Sequence, residues 1–126
     1  MKIAISSLGK TSKSQVDPRF GRCPYFIIAD TNSEEFEAIE NTAGQTFQGA
    51  GITAAQLVAN KEVQAIIAGN FGPKAVNVLS QSNIKIFRSP SDINIKEVIR
   101  KFKNNKLEEI FPDNISLKKG DKACSA

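Results

Sequence analysis

Any chemistry in this chain is done without histidine, since none occurs among its 126 residues. No Ser–His or Cys–His pair can form, which removes the commonest activated nucleophiles. The only cysteines, Cys23 and Cys124, stand far apart. Two thiols without a histidine fall short of a tetrahedral structural zinc site. In a cytosolic protein a disulfide between them is not expected. Cys23 directly follows Arg22, and a positive neighbour lowers a thiol's pKa and makes it a better soft-metal ligand. The plainer reading is that a lone cysteine beside Tyr25-Phe26 anchors a loop or packs in the core. Asp17 has the chemistry of a general base, but pairing with Arg19 or Arg22 accounts for it more simply.

Two further groups bear on binding. Lys10, Lys13, Arg19 and Arg22 oppose only Asp17 within one stretch, part of a net charge of +4. Two glycine-containing turns, Gly49-Ala50-Gly51 and Gly69-Asn70-Phe71-Gly72-Pro73, let backbone approach a ligand and expose N–H groups. Tight turns and helix packing explain such glycines equally well. Neither turn is a P-loop or a dinucleotide fingerprint, so ordinary nucleotide binding is a weak reading. A second basic group, Lys96, Arg100, Lys101, Lys103 and Lys106, reads as the solvated face of a late helix.

The elements that position these residues follow from hydrophobic periodicity. The chain has the length of one domain, and at 40% hydrophobic and 24% charged residues it is globular in composition. Residues 2–7 and the apolar run 25–30 read as strands, and 35–40 alternates as a strand with one wet face. Residues 49–61 change to helical spacing. Ala65-Ile66-Ile67-Ala68 is a buried strand, a helix opens near Pro73, and Ile84-Lys85-Ile86-Phe87 is a short strand. Asn94 with Glu97 predicts a capping box for a last helix carrying Ile95, Val98, Ile99 and Phe102 inward. The order is βββαβαβα, an α/β fold of ribonuclease H-like, three-layer type with a five-stranded mixed sheet. The first strand is central and the second antiparallel to it. Residues 1–107 form the domain, and 108–126 a flexible polar tail.

Strand parity then brings the loop 8–24, the turn 44–51 and the turn 69–73 to one rim, with two helix N-termini pointing at it. A positive, N–H-rich rim suits a bulky anion. The first and fourth strands carry no acid, so two-metal nuclease chemistry is not expected. No apolar run approaches the roughly 18 residues of a membrane-spanning helix. Met1-Lys2-Ile3-Ala4-Ile5 enters a strand without signal-peptide zones, and a cytoplasmic location is expected.

Three segments carry a family resemblance. Val16-Asp17-Pro18-Arg19-Phe20-Gly21-Arg22-Cys23-Pro24-Tyr25-Phe26 resembles the N-terminal signature of the dinitrogenase iron–molybdenum cofactor biosynthesis family, of the NifX-like and NifB C-terminal type. Gly49-Ala50-Gly51-Ile52-Thr53-Ala54-Ala55-Gln56-Leu57 and Ala68-Gly69-Asn70-Phe71-Gly72-Pro73-Lys74-Ala75 resemble its two glycine motifs. The resemblance implies a ribonuclease H-like fold without nuclease residues. It also implies a non-catalytic accessory of nitrogen-fixation metallocluster assembly. Such a protein binds, stores or hands on an iron–sulfur or iron–molybdenum cofactor precursor, and its partners are other metallocluster assembly proteins.

On that reading the cofactor-binding residues are Arg19, Arg22, Cys23, Gly49, Gly51, Gly69, Asn70 and Gly72, with Cys23 the nearest metal ligand. Some relatives are thought to hold cofactor through a histidine. Here the available thiols are Cys23 and, if the tail folds back, Cys124. So few thiolates make transient binding the expectation. The alternative is an interaction or regulatory module with the same fold and no cluster. A nucleic-acid-binding role lacks the aromatic-plus-basic strands that stack bases. Neither a nucleic acid nor a membrane is expected as partner, and the chain is expected to be a monomer or weak oligomer.

Overall fold

A computed structural model describes residues 1–42 and 49–112. Residues 44–48 of the turn 44–51 lie outside the described residues, as do 113–126 of the tail expected over 108–126, with Cys124. The start of that expected tail is corrected, because Glu108–Ile110 is a strand paired with the sheet.

Six strands form one sheet, and three helices pack on it. In chain order they are β1 (Lys2–Ser7), β2 (Tyr25–Asp30), β3 (Phe36–Glu40), α1 (Ala50–Asn60), β4 (Ala65–Ala68), α2 (Pro73–Gln81), β5 (Lys85–Arg88), α3 (Ile95–Lys103) and β6 (Glu108–Ile110). The spatial order is β3-β2-β1-β4-β5-β6. β1 runs parallel to β4, and β4 parallel to β5. The pairs β1–β2, β2–β3 and β5–β6 are antiparallel. The mixed sheet, its central β1 and its antiparallel β2 follow the parity argument. The expectation of five strands is corrected to six. β6 is short, and Glu108-Glu109-Ile110 carries a single apolar residue, too little for a period-2 signal. Its Ile110 pairs with Ile86 and lies in the same core cluster, covering the β5 edge.

Side-chain alternation along the strands divides the core into two layers. Ala4, Phe26, Ile28, Ile66, Ala68 and Ile86 face α1 and α2, whose Ala54, Ala55, Val58, Ala75, Val76 and Leu79 meet them. Ile3, Ile5, Ile27, Ala29, Ala65 and Ile67 face the other way and meet Ile95 and Val98 of α3. The central strands are buried on both faces, which is why they read as unbroken apolar runs. Ile66 and Ile67 are each fully buried, and each contributes roughly 1.5–3 kcal/mol by leaving water.

α3 begins as its sequence predicts. Asn94 Oδ1 accepts from the Glu97 amide (2.8 Å), and Glu97 Oε1 accepts from the Asn94 amide (3.4 Å). Among the described residues no helix is long and apolar enough to cross a membrane.

Candidate functional site

The loop after β1 carries the site's charge, and its course is set by hydrogen bonds to the strand ends. The Asp17 amide donates to Ser6 O (2.9 Å), and Ser6 Oγ, itself fully buried, donates to Asp17 O (2.7 Å). Pro18 O accepts from the Asn70 amide (2.7 Å), and the Phe20 amide donates to Asn70 O (3.3 Å). Arg19 is therefore laddered beside Asn70, in the turn that leads into α2. Phe20 stacks between Phe26 (5.5 Å) and Phe71 (5.2 Å). The loop thus crosses the end of β4 and is pinned there by one aromatic plug.

This geometry resolves which cation pairs with Asp17. The carboxylate is fully buried, and Arg19 wraps it with three donors: its amide (2.9 Å) and Nε (3.0 Å) to Oδ1, and Nη2 (2.9 Å) to Oδ2. A buried carboxylate needs such compensation, and two-point guanidinium binding fixes both distance and plane. The Arg19 side chain remains 60% exposed. One edge of the guanidinium is consumed by Asp17, and the rest faces solvent in a fixed orientation. Hydrogen bonding and the charge of Asp17 raise the Arg19 pKa further, so this cation does not titrate. Arg22 is also exposed, on the same loop.

The glycines divide into two kinds. A Cβ on Gly69 would stand 2.8 Å from Pro18 Cα, and one on Gly21 would stand 2.8 Å from the Gly51 amide nitrogen. Both contacts are backbone against backbone, so these glycines let the loop lie on the β4 end and on the start of α1. A Cβ on Gly51 would stand 3.4 Å from Ala75 Cβ, where α1 meets α2. Gly51 and Gly69 are thus accounted for by packing. Gly49 and Gly72 are different: among the described residues a Cβ on either meets nothing within 4 Å. Gly49 is the left-handed N-cap of α1 (φ 72°), and Gly72 is the extended N-cap of α2, ahead of Pro73.

Neither α1 nor α2 has a side-chain cap or an acidic residue in its first turn. α3 has both. A helix start without a cap leaves N–H groups pointing outward and keeps its positive dipole end unopposed. The two uncapped starts are neighbours through the Gly51–Ala75 contact, and the Arg19 loop lies against both. A depression of about 370 Å³ opens beside Gly69 and Asn70, bounded by Pro18, Arg88 and Ser89.

Cys23 is oriented away from this rim. Its side chain is fully buried, and its thiol donates to Phe20 O (3.3 Å). Burial, and after it the charge of Asp17, pushes the Cys23 pKa up to about 12, the reverse of the depression expected from Arg22. As placed, this buried, protonated thiol does not present a ligand to the rim. Among the described residues no group of three or more Cys, Asp and Glu could hold a metal ion. The donors that the described residues bring to the rim are the Arg19 guanidinium and helix-start N–H groups, a set that suits an anion.

One contributor had no sequence signal. Asn41 Nδ2 donates to Cys23 O (2.7 Å) and Gly21 O (3.3 Å), and the Asn41 amide donates to Pro24 O (2.9 Å). A buried asparagine just past β3 thus ties the far end of the loop to the hairpin. Nothing in the residue type or spacing indicated it.

Comparison with known proteins gives three kinds of likeness. The family described as dinitrogenase iron-molybdenum cofactor matches residues 1–105. The Methanocaldococcus jannaschii protein MJ0580 is 39% identical over 112 residues, covering 86% of this chain and 91% of that protein. The apo form of the orange protein from Desulfovibrio gigas superposes with a TM-score of 0.84 at 28% identity, over 86% of this chain and 92% of that one. A Thermotoga protein described as a NifB candidate of the DUF35 family superposes with a TM-score of 0.75 at 37% identity, over 86% and 91%.

Proposed function

The chain belongs to the dinitrogenase iron-molybdenum cofactor family, and from that premise we propose that it is a non-catalytic, cytoplasmic carrier of an anionic iron–sulfur or iron–molybdenum cofactor precursor. The observation that carries this reading is the Arg19 guanidinium, locked by buried Asp17 and presented to solvent beside two uncapped helix starts. Metal–sulfur precursors carry net negative charge and bridging sulfides that accept hydrogen bonds. A fixed cation with outward N–H groups meets both features without covalent ligation. An exchangeable hold of this kind suits a protein that passes its cargo to other assembly proteins.

The site acts by preorganisation. Asp17 sets the guanidinium plane before the ligand arrives, so little side-chain entropy is lost on binding. Among the described residues no atom would meet a Cβ at Gly49 or Gly72, which leaves room for a bulky anion to reach the N–H groups. The Phe20–Phe71 stack gives the loop a rigid floor. The orange protein structure is of an apo form, which supports a ligand-binding role for this fold. We read the architecture as ribonuclease H-like with its carboxylates replaced: β1 ends in Ser6-Ser7 and β4 in Ile67-Ala68.

Anaerobic incubation with iron and sulfide, and separately with tetrathiomolybdate, followed by desalting, tests the proposal. Retained visible absorbance with stoichiometric metal is the expected result in at least one arm. Loss of all metal in both arms favours the second reading, an interaction module with no cluster. That reading draws on the buried Cys23 and the absence of a protein ligand set among the described residues.

A further inference from the structure

Away from the rim, the α3 side of the sheet carries a second surface. Two helices cover the opposite face, but among the described residues α3 alone covers this one, and the hairpin end of the sheet is left open. Phe36 marks the gap. It pairs with Ala29 on the face that carries Ile27 and Ala38, and it is 43% exposed. A groove of about 530 Å³ runs here between α3 and the β2–β3 hairpin.

The groove has an apolar floor and two charged walls. Ala29, Phe36 and Ile99 form the floor. Lys96, Arg100 and Lys103 line the α3 wall at helical spacing, and Asp30 and Glu34 stand on the hairpin side. Lys103 bridges the walls, reaching Glu34 at 3.7 Å. Lys96 and Arg100 form no ion pair with a described residue. Beyond the groove α3 and its end add Lys101 and Lys106 against Glu97 alone.

We propose that this groove docks an acidic amphipathic helix of a partner protein, apolar side on Phe36 and Ile99 and acidic flank along Lys96 and Arg100. Charge complementarity chooses the occupant. A helix laid in a groove is read through apolar residues one turn apart, with flanking charges setting orientation. A nucleic acid presents phosphates on both flanks and would meet the carboxylates of Asp30 and Glu34. The α3 of a second copy would bring cations against cations. The surface does not depend on the anion site and lies on the α3 face of the sheet, away from the α1 and α2 starts.

The test uses the full ¹⁵N-labelled chain and a synthetic amphipathic helix of about 18 residues with leucines at helical spacing and glutamates on one flank. Amide shifts are expected at Ala29, Phe36, Ile99 and Arg100. The Lys96→Glu/Arg100→Glu variant should weaken binding about tenfold or more, and so should Phe36→Ser, with unchanged circular dichroism. All three positions are exposed, so folding should survive. Four results would overturn the proposal: no shifts at these residues, equal binding by a scrambled peptide of the same composition, duplex DNA shifting the same amides, or self-association of the chain through them.

Discussion

Arg19 and Asp17 behave as one group, and substitutions should reveal it. Arg19→Ala strands a buried carboxylate, which costs about 1–3 kcal/mol in stability as well as ligand affinity. Arg19→Lys keeps the charge but loses the fork, so binding should fall while salt sensitivity stays. Asp17→Asn frees the guanidinium without removing it. It should weaken binding while leaving Arg19 charged, an outcome that a purely structural pair would not produce. Isothermal titration with tetrathiomolybdate at low and high salt, beside urea unfolding of the same variants, separates the two effects. The sequence narrowed Asp17's partner to Arg19 or Arg22 and went no further, because the choice depends on a loop conformation that no periodicity encodes.

Cys23 makes a different prediction. With its thiol buried and its pKa pushed up to about 12, it should resist iodoacetamide at neutral pH in a Cys124→Ser background and react on unfolding. The sign for stability follows. The folded thiol stays protonated where the unfolded thiol, near its ordinary value, ionises. Its contribution is fully present below about pH 8.5 and is lost as pH rises toward 12. Unfolding midpoints that fall across that window in Cys124→Ser, and fall less in Cys23→Ser/Cys124→Ser, are the expected pattern.

At the scale of elements, α1 and α2 have starts left open, in contrast to α3. Gly72 adopts an extended conformation that any residue tolerates, and a Cβ there meets no described atom within 4 Å. Gly72→Asp should therefore cap α2 and stabilise the fold by about 0.3–1 kcal/mol. The same carboxylate should repel an anionic ligand. Tighter folding with weaker binding in one variant would be hard to explain if the open start were incidental. Gly69→Ala should do the reverse of a cap, costing about 1–3 kcal/mol because Pro18 backbone must move. Both glycines sat in one turn of the sequence, and only the geometry gave them opposite jobs. Helix and strand identities were readable because β1, β2 and β4 are buried on both sides and α3 carries its own cap. β6 escaped because its one apolar residue gives no alternation.

For the whole molecule, parity along the chain was enough to bring the Arg19 loop and the two glycine turns to one rim. What it could not give was orientation. Cys23 faces the core because Phe20 and Asn41 fix the loop above it, a matter of contacts far apart in sequence. The fold separates the proposed anion rim, where parallel strands end and helices begin, from a charged groove on the α3 face. The most direct measurement of the account is amide-shift mapping of the full chain titrated anaerobically with tetrathiomolybdate. Shifts should concentrate at Arg19, Gly49, Asn70 and Gly72, with the α3 groove unmoved. Saturable binding that shifts α3 and leaves the rim unchanged, or no binding at all, would contradict it.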